Sequence, residues 1–261
     1  MYFIISILVL GGLGFICAIM LGLAAEYFKI QEDSRISTIL ALLPNANCGV
    51  CGCAGCHQFA EKVVLGEIAV SGCLAGGPDV AKKIAEIMGV EGVLVNKKIA
   101  CVHCGAKAEQ RIKTADYQGV KTCVSANAVS NAGMMCKYGC IGFGDCVCVC
   151  PFDAITMKDG LPVIDKQKCT ACGKCVTFCP RKIISLVPFD AKVKIACSSH
   201  DSGAFVRRAC KVGCIGCLIC EKQVPGYFKI SDNLAGIDYE NNTVDPSSAT
   251  DKCPTKCIIK L

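Results

Sequence analysis

Histidine is nearly absent from this chain: there are three in 261 residues. Only His57 and His103 lie within cysteine runs, and each reads as a polar neighbour rather than a metal ligand. Imidazole-built zinc sites are thereby disfavoured. No P-loop and no glycine fingerprint of a dinucleotide-binding turn is present, no flavin site announces itself, and no hydrolytic or group-transfer constellation stands out. The first 25 residues contain no charged side chain. No basic region precedes their apolar run, which argues against a cleaved signal peptide.

What the chain has in excess is cysteine, 25 residues of it. Disulfide scaffolds are usually short and secreted, and they pair cysteines across loops. Here cysteines come in tight runs, poorly placed for disulfides but well placed to grip an inorganic core. Zinc sites also use C-x₂-C, but usually as two distant pairs. Three cysteines in a run with a fourth followed by proline is an iron–sulfur pattern. The formal charge of +6 treats every cysteine as neutral. Four thiolates on an oxidised [4Fe–4S] core leave about −2 per site, so four filled sites would bring the total to about −2. The basic composition therefore implies no nucleic-acid partner.

The run MYFIISILVLGGLGFICAIMLGLAA would be about 37 Å long as a helix, enough to span a bilayer. It reads as an uncleaved anchor over residues 1–28. Gly11, Gly12, Gly14 and Gly22 suit close helix packing, or simply reflect the frequency of glycine in membrane helices. Cys17 is inert packing. Lys29 and Arg35 mix with Glu26, Glu32 and Asp33, so charge hardly orients the helix. Reduced thiols belong in the cytoplasm. The expected topology is a single-pass protein of the cytoplasmic membrane with its cluster domains on the cytoplasmic side.

Residues 29–95 hold the first cluster candidate. Cys48, Cys51 and Cys56 sit close together, interleaved by Gly49, Gly52 and Gly55, and Cys73 follows after an expected helix. Glycine permits unusual backbone angles and close approach of N–H groups to sulfur. Cys53 is surplus. The pattern C-x₂-C-x₄-C-x₁₆-C followed by Gly-Gly resembles the 4Fe–4S domain of the B subunit of Rnf complexes. The resemblance implies one [4Fe–4S] cluster on Cys48, Cys51, Cys56 and Cys73. Corrinoid iron–sulfur proteins contain a similar domain, but the apolar anchor favours the Rnf family.

The second half carries internal repeats: CPFDAI at Cys150, CPRKII at Cys179, CPTKCI at Cys253 and a degenerate VPGYFKI at Val224. Each reads as half of a ferredoxin, with AITMKDGLPVI and IISLVPF as strands. Cys169-x₂-Cys172-x₂-Cys175-x₃-Cys179-Pro180 is a full bacterial ferredoxin run, in which the fourth cysteine ligates the other cluster. Its partner run, Cys136-x₃-Cys140-x₅-Cys146-x₃-Cys150-Pro151, is looser. Crossing the ligands predicts one cluster on Cys136, Cys140, Cys146 and Cys179 and another on Cys150, Cys169, Cys172 and Cys175. Cys148 is a bystander. In the last repeat valine replaces the crossing cysteine, and NNTVDPSSAT before Cys253 contains no cysteine. Cys214, Cys217, Cys220 and Cys253 remain as one complete set.

The expected fold class is thus α+β. It comprises a transmembrane helix, a small helical 4Fe–4S domain, a cysteine-containing insert over 96–134, a dicluster ferredoxin-like domain over 135–190 and a degenerate ferredoxin repeat over 191–261. The segment CVHCGAK resembles the insert of longer, clostridial forms of the family. Cys101, Cys104 and Cys123 with Cys197 or Cys210 are candidates for a fifth cluster, against a reading of unligated thiols or a zinc knuckle; Cys257 is left over. At least four [4Fe–4S] clusters are expected.

The resemblance, which runs nearly the whole chain, implies an electron-transfer subunit of a membrane-bound ferredoxin:NAD⁺ oxidoreductase, a redox-driven translocase of Na⁺ or H⁺. Its implied donor is reduced ferredoxin, and its implied partners are the other Rnf subunits. Arg181, Lys182, Arg207, Arg208 and Lys211 near the cluster loops would attract an acidic donor, or are ordinary solvated charge. Two other readings stay open: a membrane-tethered carrier that reduces an iron–sulfur regulator, and a zinc-binding scaffold.

Overall fold

The computed structural model describes residues 2–27, 33–90, 96–241 and 245–261. Lys29 and Glu32, and the boundaries expected near 28 and 95, fall outside the described residues. Helix α1 (Tyr2–Tyr27) contains a stretch, Phe3–Ala24, that is long and apolar enough to cross a membrane. None of that stretch is buried against the rest of the chain.

Three short helices follow: α2 (Ser34–Leu42), α3 (Cys56–Val64) and α4 (Gly77–Met88). Asp33 caps α2 by accepting the Arg35 N–H at 2.9 Å. Gly89, at φ +66°, closes α4 in the left-handed conformation. Apolar residues recur at helical spacing, so each helix turns one stripe inward. Ile39, Phe59, Ala60, Val63 and Ile84 meet there and are essentially solvent-free. Each such large side chain contributes about 1.5–3 kcal/mol of burial free energy.

The remaining chain forms two units with the same order of parts. In the first, β1 (Lys98–Val102) pairs antiparallel with β4 (Ile184–Pro188), and between them β2 (Ile155–Lys158) and β3 (Leu161–Ile164) form a hairpin. In the second, β5 (Val193–Ile195) pairs with β8 (Ile258–Lys260) and encloses the hairpin of β6 (Phe228–Ser231) and β7 (Leu234–Ile237). The two-residue turns are Asp159-Gly160 and Asp232-Asn233, all with positive φ. That is the conformation a two-residue hairpin demands, and Asp, Asn and Gly adopt it most cheaply. β1 and β5 are strands that the repeat pattern alone leaves out.

Each unit also carries two short helices at matching places. In the first they are α6 (Asp145–Cys148) and α7 (Lys174–Phe178), and in the second α9 (Ile219–Gln223) and α10 (Ser247–Lys252). Each is followed by a member of the repeat: Cys150, Cys179, Val224 and Cys253. The cores are separate, with Ile99, Val102, Ile155 and Ile184 in one, and Val193, Tyr227, Phe228 and Ile258 in the other. Helices α5 (Cys123–Ala128) and α8 (Gly203–Ala209) lie outside this repeat.

Candidate iron–sulfur centres

Cys48, Cys51, Cys56 and Cys73 line one cavity, closed by Leu43, Phe59 and Ala75. The loop is shaped by Gly49 and Gly52, at φ +73° and +81°. Asn47 fastens it by accepting the Cys56 N–H at 2.9 Å. A Cβ at Gly55 would stand 2.8 Å from that Asn47 Oδ1, so any larger residue there would have to displace the Asn47 side chain. The Gly76 N–H points at the Cys73 thiol. Cys53 is buried in the helical core and is not among the residues lining the cavity. His57 is half-exposed and pairs with Glu61 at 3.5 Å, away from the thiols' cavity.

In the first strand-pair unit, one cavity is lined by Cys123, Cys140, Cys146 and Cys179. Spacing predicts Cys136 in place of Cys123. The reason for the difference lies in the register. Counted back from Cys150-Pro151, the standard run needs cysteine at 146, 143 and 140; position 143 is phenylalanine. Cys123 from the insert reaches the vacated place. Asp145 holds it there, accepting the Cys123 N–H at 2.9 Å and the Val124 N–H at 3.1 Å. The apparent looseness of the run comes from counting Cys136 as its first member.

Cys150, Cys169, Cys172 and Cys175 form a neighbouring group: Cys169 and Cys172 face Cys175, and Cys150 faces both Cys172 and Cys175. The Lys174 N–H points at Cys172. Cys148 is exposed and lies in a cleft between Cys48 and Cys150. In the second unit Cys214, Cys217 and Cys220 are mutual neighbours and Cys253 faces Cys214. Val224, 1% exposed, fills the place that Cys150 holds in the first unit. Cys257 occupies the position of Ala154 and Ile183 in the other repeats. Its sulfur lies 3.7 Å from that of Cys253. The single S–H of Cys257, shared between the sulfurs of Cys214 and Cys253, stays on Cys257, and this contact draws the pKa of Cys214 down to about 6 and that of Cys253 to about 5.

A further cavity is lined by Cys104, Cys136, Cys197 and Cys210. Cys101 is not with them. It lies in β1, packed into the first core at 2% exposure, because the extended chain turns residues 101 and 104 to different sides. His103 borders the cavity, but both ring nitrogens are engaged, with Ile195 O at 2.8 Å and Ser185 Oγ at 2.7 Å.

Burial pushes the thiols of Cys140, Cys175 and Cys197 up to about 12, and those of Cys146 and Cys220 up to about 11. Neighbouring thiols add to the effect for Cys140, Cys146 and Cys175. Buried thiols of this kind ionise only when a metal core compensates them. The donor set fits an iron–sulfur cluster: thiols in fours, backbone N–H groups aimed at sulfur, and apolar walls. Among the described residues, no three His, Cys, Asp or Glu side chains are gathered closely enough for a bare metal ion. Arg181 also fits. It turns inward, lines the Cys140 cavity and donates to the backbone carbonyls of Lys137 and Asn131, while its Nε is buried without a partner. An anionic core would satisfy it. Lys182 donates to Thr177 O at 3.1 Å, whereas Arg207, Arg208 and Lys211 are exposed.

Comparison with known proteins places two matches on these loops. Residues 43–75 match the family described as "Putative Fe-S cluster", and residues 162–185 match the "4Fe-4S binding domain". The chain is 40% identical over 252 residues to the B subunit of the Na(+)-translocating ferredoxin:NAD(+) oxidoreductase complex of Acetobacterium woodii, covering 96% of this chain and 75% of the relative. It is 40% identical over 255 residues to the B subunit of the ion-translocating oxidoreductase complex of Methanosarcina acetivorans, covering 97% and 96%. It is 37% identical over 260 residues to the B subunit of the proton-translocating ferredoxin:NAD(+) oxidoreductase complex of Clostridium ljungdahlii, covering 98% and 91%.

Proposed function

The chain belongs to the B-subunit family of ion-translocating oxidoreductase (Rnf) complexes, and on that premise we propose that it relays single electrons from reduced ferredoxin to the membrane subunits of such a complex. When bound, [4Fe–4S] clusters would supply the one-electron chemistry, and the fold would space and tune them. The ligand sets we assign are Cys48, Cys51, Cys56 and Cys73; Cys123, Cys140, Cys146 and Cys179; Cys150, Cys169, Cys172 and Cys175; and Cys214, Cys217, Cys220 and Cys253. The first strand-pair unit then acts as a dicluster ferredoxin-like domain with crossed ligands, and the second as its one-cluster counterpart. Helix α1 anchors the protein as a single span with the cluster domains in the cytoplasm.

The adjacency of the quartets carries this reading. Cys48 of the anchor-proximal domain faces Cys172, and Cys175 faces Cys146. Val50 packs beside Gly173, where a Cβ would sit 3.7 Å away. A thiol set next to the anchor therefore abuts a second set, which abuts a third. Cys217, exposed at the far unit, supports entry there, and exposed Arg207, Arg208 and Lys211 suit an acidic donor. The test is anaerobic purification followed by titration with reduced ferredoxin. Bleaching of the brown chromophore and appearance of reduced-cluster EPR signals are expected. A colourless, zinc-loaded protein, or one that ferredoxin does not reduce, would overturn the proposal.

A further inference from the structure

The quartets assigned so far leave a break in the relay. Cys140 neighbours Cys104 and Cys214 neighbours Cys197, both at the seam of the two strand-pair units. That seam contains the cavity bordered by Cys104, Cys136, Cys197 and Cys210. We infer that these four thiols hold an additional [4Fe–4S] cluster, which joins the two units electrically; its bridging role rests on the relay reading, but the site itself does not.

The cavity is built by backbone bonds from three separated segments. The Gly105 N–H donates to Ala196 O at 2.9 Å, and the Met135 N–H to Ile112 O at 2.9 Å. Ser198 Oγ donates to His103 O at 2.9 Å, and Arg111 bridges to Cys210 in a short antiparallel contact. Each thiol thereby has a fixed place, although the four span more than a hundred residues of sequence.

The sulfurs are also dressed as the other sets are. In the Cys172 and Cys214 loops, the N–H two residues on points back at the thiol, from Lys174 and Gly216. The same turn recurs here: Tyr138 and Gly139 point at Cys136, Val212 and Gly213 at Cys210, and Ser199 at Cys197, the last at 3.5 Å. The fourth sulfur, Cys104, accepts the Cys140 N–H at 3.5 Å. Cys140 belongs to the adjacent quartet, so a single peptide links the two sites. On the other side Cys197 faces Cys214. Such N–H···S donors stabilise clusters and set their potentials. Ala106, Met134, Ala196 and Val206 supply apolar walls. Engaged on both nitrogens, His103 is left out of the ligand set.

The test begins with iron and acid-labile sulfide on the anaerobically purified full chain. About twenty of each are expected, against about sixteen if the site is empty. The Cys136→Ala/Cys210→Ala variant should fall to about sixteen and keep the remaining EPR signals. Cys101→Ala should stay at about twenty. A wild-type count of sixteen, with or without one zinc, overturns the site, as does an unchanged count in the double variant. Should that variant fail to fold, Cys210→Ser reads out the same point through an altered EPR spectrum of one cluster; an unaltered spectrum overturns the assignment. Ferredoxin titration of the double variant separates site from role. Reduction confined to about one cluster of the remaining four supports the bridge. Full reduction at unchanged rate, with four irons lost, overturns the bridge and leaves the site standing.

Discussion

Phe59 couples the stability of the anchor-proximal domain to its thiol cavity. Its side chain is completely buried, three residues after Cys56 on α3, and it borders the cavity of Cys48, Cys51, Cys56 and Cys73. The ring also closes on the loop before Cys73, where a Cβ at Gly72 would stand 3.1 Å from it. Truncation by Phe59→Ala costs about 3–5 kcal/mol. A domain of about sixty residues has about 3–9 kcal/mol of stability in total, at 0.05–0.15 kcal/mol per residue. The variant domain keeps at most about 6 kcal/mol, and its opening becomes about 10²- to 10⁴-fold more frequent. The assay is iron release to a chelator from the full chain under anaerobic conditions. One cluster's share, about four irons, should leave in a new fast phase, while the remaining iron leaves at the wild-type rate. Phe59→Leu should restore most of the protection. Wild-type kinetics in Phe59→Ala would refute the reasoning, because the cavity wall would then not limit access.

Three more perturbations probe the other sites. Arg111 donates to Ala106 O at 2.8 Å, Gly160 O at 2.7 Å and Ile141 O at 3.4 Å, and its charge faces Cys140. Arg111→Met should lower the urea midpoint by the equivalent of about 2–4 kcal/mol, and redox-poised EPR should show one cluster with a more negative potential; an unshifted potential would place the guanidinium too far away to matter. Cys257→Ala should keep the full iron count, yet lower the potential of the Cys214 cluster, since a thiol hydrogen bond to its sulfurs is lost; loss of about four irons would instead make Cys257 a ligand. Gly133 has φ +67°, and a Cβ there would collide with the Ala115 carbonyl. Gly133→Ala should therefore destabilise by more than about 1 kcal/mol, measured as an earlier denaturation of the segment leading to Cys136.

The local parts of this molecule were legible in the sequence because their determinants are contiguous. The Cys169–Cys179 run and the glycine-spaced Cys48–Cys56 loop each lie within a dozen residues, and the AITMKDGLPVI stretch expected to be strand forms the β2–β3 hairpin. Cys136 lines a different cavity from Cys140, Cys146 and Cys179, for a reason the sequence does contain. Phe143 stands at the middle ligand position when the run is counted from Cys150-Pro151, and that vacancy asks for a thiol from elsewhere. Nothing local identifies the donor as Cys123; the Asp145 carboxylate that fixes it is 22 residues away in sequence. Cys104 was readable as a partner of Cys197 or Cys210, but the sequence set Cys101 and Cys123 beside it, where the structure gathers Cys136 and both Cys197 and Cys210. Their convergence depends on β1 and β5 being strands and on how two separately cored units meet. Arg181 was misread for a related reason. A basic residue beside a Cys-Pro pair looks like surface charge, and only the path of residues 131–137 shows that it is covered.

That inward arginine changes what the basic composition means. With five filled sites the protein would carry about −4 rather than its formal +6. The negative charge would concentrate in the middle of the row, where the Cys140 and Cys104 sites share a peptide contact. Arg111 borders the Cys104 cavity and Arg181 the Cys140 cavity. Both hold their position through backbone carbonyls, so neither needs a carboxylate partner that would cancel its charge. On the proposed ligand sets, part of the basic excess would be internal compensation for adjacent anionic cores. Without it, adding an electron to one core would raise the cost of adding the next, and the middle of the relay would become a barrier. Arg207, Arg208 and Lys211 are exposed on α8 and the loop that follows it, so they take no part in this internal compensation.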